Sequence, residues 1–288
     1  MDESQRLAVR FEEHRPHLRA VAYRMLGSLS DADDAVQDAW ERVSRASADG
    51  VEDLKAWLTT IVARVCLNLL RSRTARRERA IPDPVVSPEA VPDPEAEAVL
   101  ADSVGFALQI VIDTLAPAER LAFVLHDVFE LPFDEIAAIV GRTPQATRQL
   151  ASRARRRVRE AELPAQERDL ARQRKVVDAF FAAGRAGNFD ALVAVLHPDA
   201  VARVDLGTDG LKTARGAAAV ARHARLGADV DAELHHVLVN GAAGVIVTRA
   251  GLPIAVIAFT VVADRIVEIS VVADPDRVAE LAAPALAR

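Results

Sequence analysis

Between Thr143 and Arg159 the sequence places Arg148, Gln149, Ser152, Arg153, Arg155 and Arg156 away from a stripe of Leu150, Ala151, Ala154 and Val158. On a helix that spacing gives one polar face and one buried face. Arginine can bond the acceptor edge of guanine in a DNA major groove, glutamine the mixed edge of adenine, and further arginines can neutralise phosphate. Residues 142–159 hold seven arginines and no acid. The bland alternative is an arginine-rich face that simply meets water. A second basic set, Arg64, Asn68, Arg71, Arg73, Arg76, Arg77 and Arg79, lies on and after the end of another helical stretch. Opposed to it in sign are Asp34, Gln37, Asp38 and Glu41 at helical spacing, an edge suited either to a basic protein surface or to solvent.

Residues that could serve catalysis do not converge. His197, Asp199, Asp205, Asp209, His235 and His236 are scattered, and neither a metal-ligand spacing nor a glycine-rich phosphate loop is present. His197-Pro198-Asp199 reads as a helix-ending turn, and His235 and His236, adjacent in a strand, must point to opposite faces. The one cysteine, Cys66, lies between Val65 and Leu67 and reads as a buried, inert thiol. No metal, cofactor or enzymatic role is expected.

The elements that must position these residues follow from periodicity. A helix over 7–26 stops at Gly27, and a second follows with Ser30 and Asp33 as an acidic capping box and Ala35, Val36, Ala39, Trp40 and Val43 as its apolar stripe. A third runs from Leu54 to Arg73. Residues 80–102 carry five prolines and six acids with no base, a composition that reads as an extended tether. Helices are then expected over 104–115, from Pro117 to Val128, from Pro132 to Gly141, and from Pro144 onward with Thr143 as N-cap. The pair flanking Gly141 has helix-turn-helix form. From Asp169 a helix with Val176, Val177, Phe180 and Phe181 leads to β-branched runs at 237–239, 245–248, 254–262 and 266–271, with turns at Asn240-Gly241 and Ala263-Asp264. The fold class is therefore multidomain: helical units at 1–79 and 103–162, a linker at 80–102, and an α+β domain at 169–288 with antiparallel strands.

Half of the 288 residues are apolar and the net charge is −6. That average argues against indiscriminate nucleic-acid binding but hides the segregation of sign just described. No stretch reaches the roughly 18 uncharged apolar residues of a membrane helix, so a cytoplasmic protein without membrane contact is expected.

Three ordered segments carry a family resemblance. YRMLGSLSDADDAVQDAW (23–40) resembles the core-polymerase-binding segment of extracytoplasmic-function (ECF) sigma factors, WLTTIVARVCLNLLRSR (57–73) their promoter-melting segment, and LPFDEIAAIVGRTPQATRQLASRARRRVR (131–159) their minus-thirty-five reader. The resemblance implies two all-α sigma domains, the second with the helix-turn-helix. It implies Asp34, Gln37 and Asp38 on the polymerase clamp helices, and Arg64 and Asn68 near the melted minus-ten element with Arg71 and Arg73 on phosphates. Arg148, Gln149, Ser152, Arg153, Arg155 and Arg156 would lie in the minus-thirty-five major groove. The partners implied are RNA polymerase core, through its clamp helices and its surface beside the upstream element, and promoter DNA. The polar loop Ser47–Asp53 would discriminate a flipped base. The acidic linker would either enter a basic channel of the polymerase or act as a soluble spacer. The tail is similar to the SnoaL-like cone of a sigma-factor subgroup. Asp274-Pro275-Asp276-Arg277 resembles that subgroup's NPDK signature, here a regulatory contact, and Thr208-Asp209-Gly210-Leu211 stands where a glycine-richer turn is expected. Ile81-Pro82-Asp83-Pro84 replaces a Trp-Leu-Pro-Glu-Pro linker. A small ligand in the cone is a further implied partner. A DNA-binding repressor would leave the motifs of residues 5–79 unexplained, and an enzyme fused to a helix-turn-helix lacks a site.

Overall fold

The computed structural model describes residues 3–45, 51, 53–73, 81–89, 106–161, 167–226 and 231–286. The loop 46–50, residue 52, Arg76, Arg77, Arg79, linker residues 90–102 and the side chain of Arg73 lie outside the described residues. The chain forms two compact units.

The first unit is all-helical. Helix α1 (Glu3–Leu26) ends where Gly27 takes φ 74°, a left-handed value that glycine adopts without strain. Helix α2 (Leu29–Val43) is capped by Ser28, whose Oγ accepts from Asp31 N, rather than by Ser30. The expected capping box is absent because Asp33 is drawn to Arg19 on α1, at 2.7 and 3.0 Å. Helix α3 (Leu54–Arg73) completes a core built on Phe11, Leu18, Val36, Leu58 and Val62, with Cys66 fully buried. Helix α4 (Phe106–Asp113) precedes α5 (Pro117–Phe123), which runs on into a π-turn over Val124–Val128. Helices α6 (Phe133–Val140) and α7 (Pro144–Glu160) follow. Gly141 supplies the tight turn at φ 71°, and Thr143 Oγ1 caps α7 by accepting from Ala146 N.

The two helical segments, read from the sequence as separate domains, pack as one unit. Arg24 is wholly buried and donates to Gln109 Oε1, while Gln109 returns a bond to Arg24 O. Arg120 donates to Met25 O and to Asp113 Oδ1. Burial pulls the Arg120 pKa down, and Asp113 opposes it.

The second unit is a seven-stranded sheet in the order β1-β4-β5-β6-β7-β2-β3, with β2 and β7 parallel and every other pair antiparallel. The strands are β1 (Val86–Pro88), β2 (Leu196–Asp205), β3 (Leu211–Arg215), β4 (Ala232–Val239), β5 (Ala242–Arg249), β6 (Leu252–Val262) and β7 (Arg265–Val272). Helices α8 (Leu170–Arg185), α9 (Phe189–Val195) and α10 (Ala217–Leu226) supply the rest of a core containing Val177, Phe180, Leu192, Val220, Val245 and Phe259. Helix α11 (Pro275–Leu286) brings Val278 against Val272 and Ile81. The Asn240-Gly241 and Ala263-Asp264 turns form as expected, all four residues at positive φ. Strands β2 and β3 escaped prediction, and His197-Pro198-Asp199 opens a strand instead of ending a helix. In it, His197 Nδ1 accepts from Asp199 N.

The larger difference concerns the linker. Residues 81–87 are buried, and 86–88 form β1 against β4 instead of hanging free as a tether. Alternation was hidden there by prolines, yet Pro88 is tolerated because β1 is an edge strand. Among the described residues no helix is long and apolar enough to cross a membrane.

Gly244 of β5 leaves no room for a side chain: a Cβ would lie 2.2 Å from Val239 Cγ2 and 2.9 Å from Ile257 O. Gly244→Ala is expected to destabilise the second unit by about 1–3 kcal/mol, through overpacking. Faster amide exchange across β4 and β5 and a lower urea midpoint by far-ultraviolet circular dichroism would register it.

Candidate functional site

Four surfaces bring together the residues singled out by sequence. On α2, Asp34, Gln37, Asp38 and Glu41 are all exposed, because Ala32, Ala35, Val36, Ala39 and Val43 occupy the opposite face. On α3, Arg64, Asn68 and Arg71 are exposed at i, i+4 and i+7, so they line one face. Arg64 Nη2 lies 3.5 Å from Ala138 O on α6.

On α7 the buried face is Thr147, Ala151 and Ala154. Arg148, Gln149, Ser152 and Arg156 project together from the exposed face, and Gln145 joins them one turn nearer the N-terminus. Sequence reasoning overlooked Gln145, although its spacing to Arg148, Gln149 and Ser152 is 3, 4 and 7 residues. The other two arginines of the set are tied to carboxylates of their own unit. Arg153 Nε donates to Glu119 at 2.8 Å, and Arg157 also pairs with Glu119, at 3.2 Å. Arg155 Nε donates to Asp127 at 2.6 Å. Glu119 is buried at the start of α5, so this pairing seats α7 on the unit. Arg148 lies over the ring of Phe133, 5.6 Å from its centroid.

The fourth surface is where the linker meets the rest of the second unit. Asp274 caps α11 by accepting from Arg277 N at 3.0 Å, Pro275 takes the first helical position, and Asp276 favours the positive end of the helix dipole. This aims the Arg277 guanidinium between two carboxylates. Nε donates to Asp83 Oδ1 at 2.7 Å, Nη1 to Asp205 Oδ2 at 2.6 Å and Nη2 to Ile81 O at 2.9 Å. Burial works to lower the Arg277 pKa, but Asp83 and Asp205 together outweigh it and the net direction is upward. Asp205, fully buried at the end of β2, also accepts from Ile81 N and from Gly207 N. Gly207 (φ 65°) abuts Asp274 so closely that a Cβ would collide with its carboxylate. Further along, Val85 N donates to Asn240 Oδ1 and Asn240 N to Val85 O, both at 2.8 Å. Arg174 Nη2 reaches Glu89 at 2.7 Å and its guanidinium also holds Gly244 O and Val237 O. Asp205 was visible in the sequence only as one of several scattered acids, Asp83 only within the Ile81–Pro84 linker motif and Asn240 only as a turn residue; Glu89 and Arg174 gave no signal.

The remaining catalytic candidates stay apart. His235 Nε2 meets Thr248 Oγ1 at 2.9 Å, and His236 Nε2 faces Asp178 at 3.2 Å.

Residues 10–76 match Sigma-70 region 2, residues 106–158 match Sigma-70 region 4, and residues 177–269 match the SnoaL-like domain. The crystal structure of the Mycobacterium tuberculosis extracytoplasmic function sigma factor SigJ superposes with a TM-score of 0.74 and 33% identity, covering 94% of this chain and 97% of that one. This chain belongs to the ECF sigma-factor family. In sequence it is 45% identical to M. tuberculosis SigJ over 66% of this chain and 62% of SigJ, so that alignment spans somewhat less than two thirds of SigJ. It is 37% identical to the probable ECF sigma factor SigI of M. tuberculosis, over 71% and 72%. Region 2 therefore holds the acidic α2 face and the basic α3 face, region 4 holds α7, and the second unit, whose residues 177–269 match the SnoaL-like domain, holds the linker through Arg277.

Removing the Arg277 guanidinium would leave two carboxylates, at 1% and 11% exposure, without their cation. Arg277→Ala is expected to cost about 3–5 kcal/mol, as for a broken buried ion pair. It should also abolish amide protection at Ile81 and Asn240. Arg277→Lys should not restore that protection, because an ammonium cannot span both carboxylates and the Ile81 carbonyl.

Proposed function

We propose that this chain directs RNA polymerase to specific promoters, with α2 docking on the core enzyme and α7 reading duplex DNA upstream. The observation that carries the reading is that one chain presents, in family order, an exposed acidic edge on α2, a basic face on α3 and an arginine–glutamine face on α7. Asp34, Gln37 and Asp38 contact the basic clamp helices, while Arg64, Asn68, Arg71 and Arg73 follow the melted strand. Gln145, Arg148, Gln149 and Ser152 meet base edges, and Arg156 a phosphate. Arg153 and Arg155 act first as struts, through Glu119 and Asp127.

Reversing charge at Asp34 and Asp38 to Arg should abolish co-purification with core polymerase while circular dichroism stays unchanged. With polymerase binding intact, Arg148→Ala should weaken transcription from the cognate upstream element by roughly 1–3 kcal/mol, with relaxed preference at one base pair. Arg153→Ala should instead lower region 4 stability and depress all promoters alike. Intact association of the reversed-charge protein would remove the basis of the assignment.

The C-terminal domain acts in cis on the linker. Residues 81–89, which lie in the chain between regions 2 and 4, are held by the second unit, so their docking bears on how the two regions are joined. Arg277→Ala or removal of residues 272–288 should therefore change transcription at equal protein level and equal polymerase binding, upward if docking restrains. Unaltered transcription from both would leave the domain a passive tail.

A further inference from the structure

The sheet and helices of the second unit enclose a cavity of about 220 Å³ that none of the contacts above uses. The space opens to solvent at one side and is several times larger than a water molecule, so it can admit a small ligand. Its floor is apolar: Phe180 and Phe181 from α8, Ala202 and Val204 from β2, Ile269 and Val271 from β7. Asp205 alternates away from this lining and is engaged by Arg277. No carboxylate lines the cavity among the described residues, so the proton-transfer chemistry that an acid in an apolar cone can perform has no acid there.

Two polar side chains stand in the wall, and both are exposed, which puts them at the mouth. Arg185, the last residue of α8, donates Nη2 to Ala232 O. His223 meets Ala219 O through Nδ1 at 2.9 Å; a carbonyl can only accept, so Nδ1 carries the hydrogen and Nε2 is the ring's remaining polar atom. A permanent cation at the rim of an apolar pocket selects for a negative end on an apolar body.

Gly184 adds an independent argument. It sits in the last turn of α8, lines the cavity, and has no atom within 4 Å of where a Cβ would be. Its φ is not in the left-handed region, so neither backbone conformation nor crowding requires glycine there. Glycine in a helix costs about 0.5–1 kcal/mol relative to alanine. The sequence gives up that stability and gains open space beside Arg185.

We propose that the cone is a binding site for a compact apolar carboxylate, its chain against Phe180, Phe181 and Val271 and its carboxylate on Arg185 at the rim. Scaled from a 150 Å³ apolar cavity that takes benzene, the space of about 220 Å³ suits about nine non-hydrogen atoms, with a charged end left at the rim. The proposal stands independently of promoter recognition, since its test is direct binding.

The test is isothermal titration calorimetry of the full-length protein with octanoate, octan-1-ol and octylammonium, three probes of one shape and different ends. Octanoate should bind saturably and at least tenfold more tightly than octylammonium. Arg185→Gln should erase the advantage of octanoate over octan-1-ol while octan-1-ol binds as before. Gly184→Leu, which places a side chain in the empty space, should weaken octanoate at least tenfold with the melting temperature unchanged or raised. Three results would each overturn the proposal: no saturable binding of any probe to folded protein, octylammonium binding as tightly as octanoate, or undiminished octanoate binding by Gly184→Leu.

Discussion

The second unit depends on one buried guanidinium. Arg277 places three nitrogen donors among Asp83 and the Ile81 carbonyl of the linker and Asp205 of β2, so that one guanidinium joins three segments far apart in the chain, its own included. A buried charge pair is a poor source of stability, because removing the ions from water costs nearly what their attraction returns. Its virtue is discrimination. Once Asp205 is buried at the end of β2, an arrangement lacking Arg277 leaves an uncompensated charge, and one lacking the linker leaves the guanidinium without its acceptors at Asp83 and Ile81, which disfavours alternative packings of residues 81–89. The cap that Asp274 forms, the tight turn at Gly207 and the bond from Gly207 N to Asp205 all fix the same guanidinium in place.

The first unit uses the same device for another end. Glu119 and Asp127 hold Arg153, Arg155 and Arg157, and so spend part of a basic helix on its own scaffold. What remains outward, from Gln145 to Arg156, is a narrower face than the run of arginines suggests. Helix geometry separates the two sets: Arg153 and Arg157 are one turn apart and lie over α5, whereas Arg148, Ser152 and Arg156 share the solvent side.

Much of this was legible in the sequence because it is periodic. The stripe of Leu150, Ala151 and Ala154, the glycine at 141 and the Thr143-Pro144 start defined α6 and α7 closely, and Asn240-Gly241 marked its hairpin. Membership of the ECF family, the helical sigma regions and the SnoaL-like tail were equally visible. What failed was local reading of segments whose structure comes from partners distant in sequence. Ser28 rather than Ser30 caps α2 because Arg19 claims Asp33. Strand β2 opens through His197-Pro198-Asp199, against its own turn propensity, because β3 and β7 flank it. The proline-rich linker cannot fold alone, and the tether reading was sound for an isolated peptide. Asp83, Val85 and Glu89 become ordered only because Arg277, Asn240 and Arg174 await them, and no window of sequence contains both halves of any of these contacts.

The place of β1 at the margin of the sheet has one further consequence. Its three residues cover the outer row of β4 at Val237–Val239, whose amides and carbonyls would otherwise form a free edge beside the apolar β5 and β6. Unpaired edges template pairing with other chains, and many proteins blunt them with prolines, charges or a covering segment. Here the covering segment carries a proline of its own, Pro88, and is drawn from the stretch of chain between regions 2 and 4. Any process that pulls the linker away therefore bares a β-edge in the same motion. The same three residues thus tie the path of the linker to the closure of the sheet at Val237–Val239.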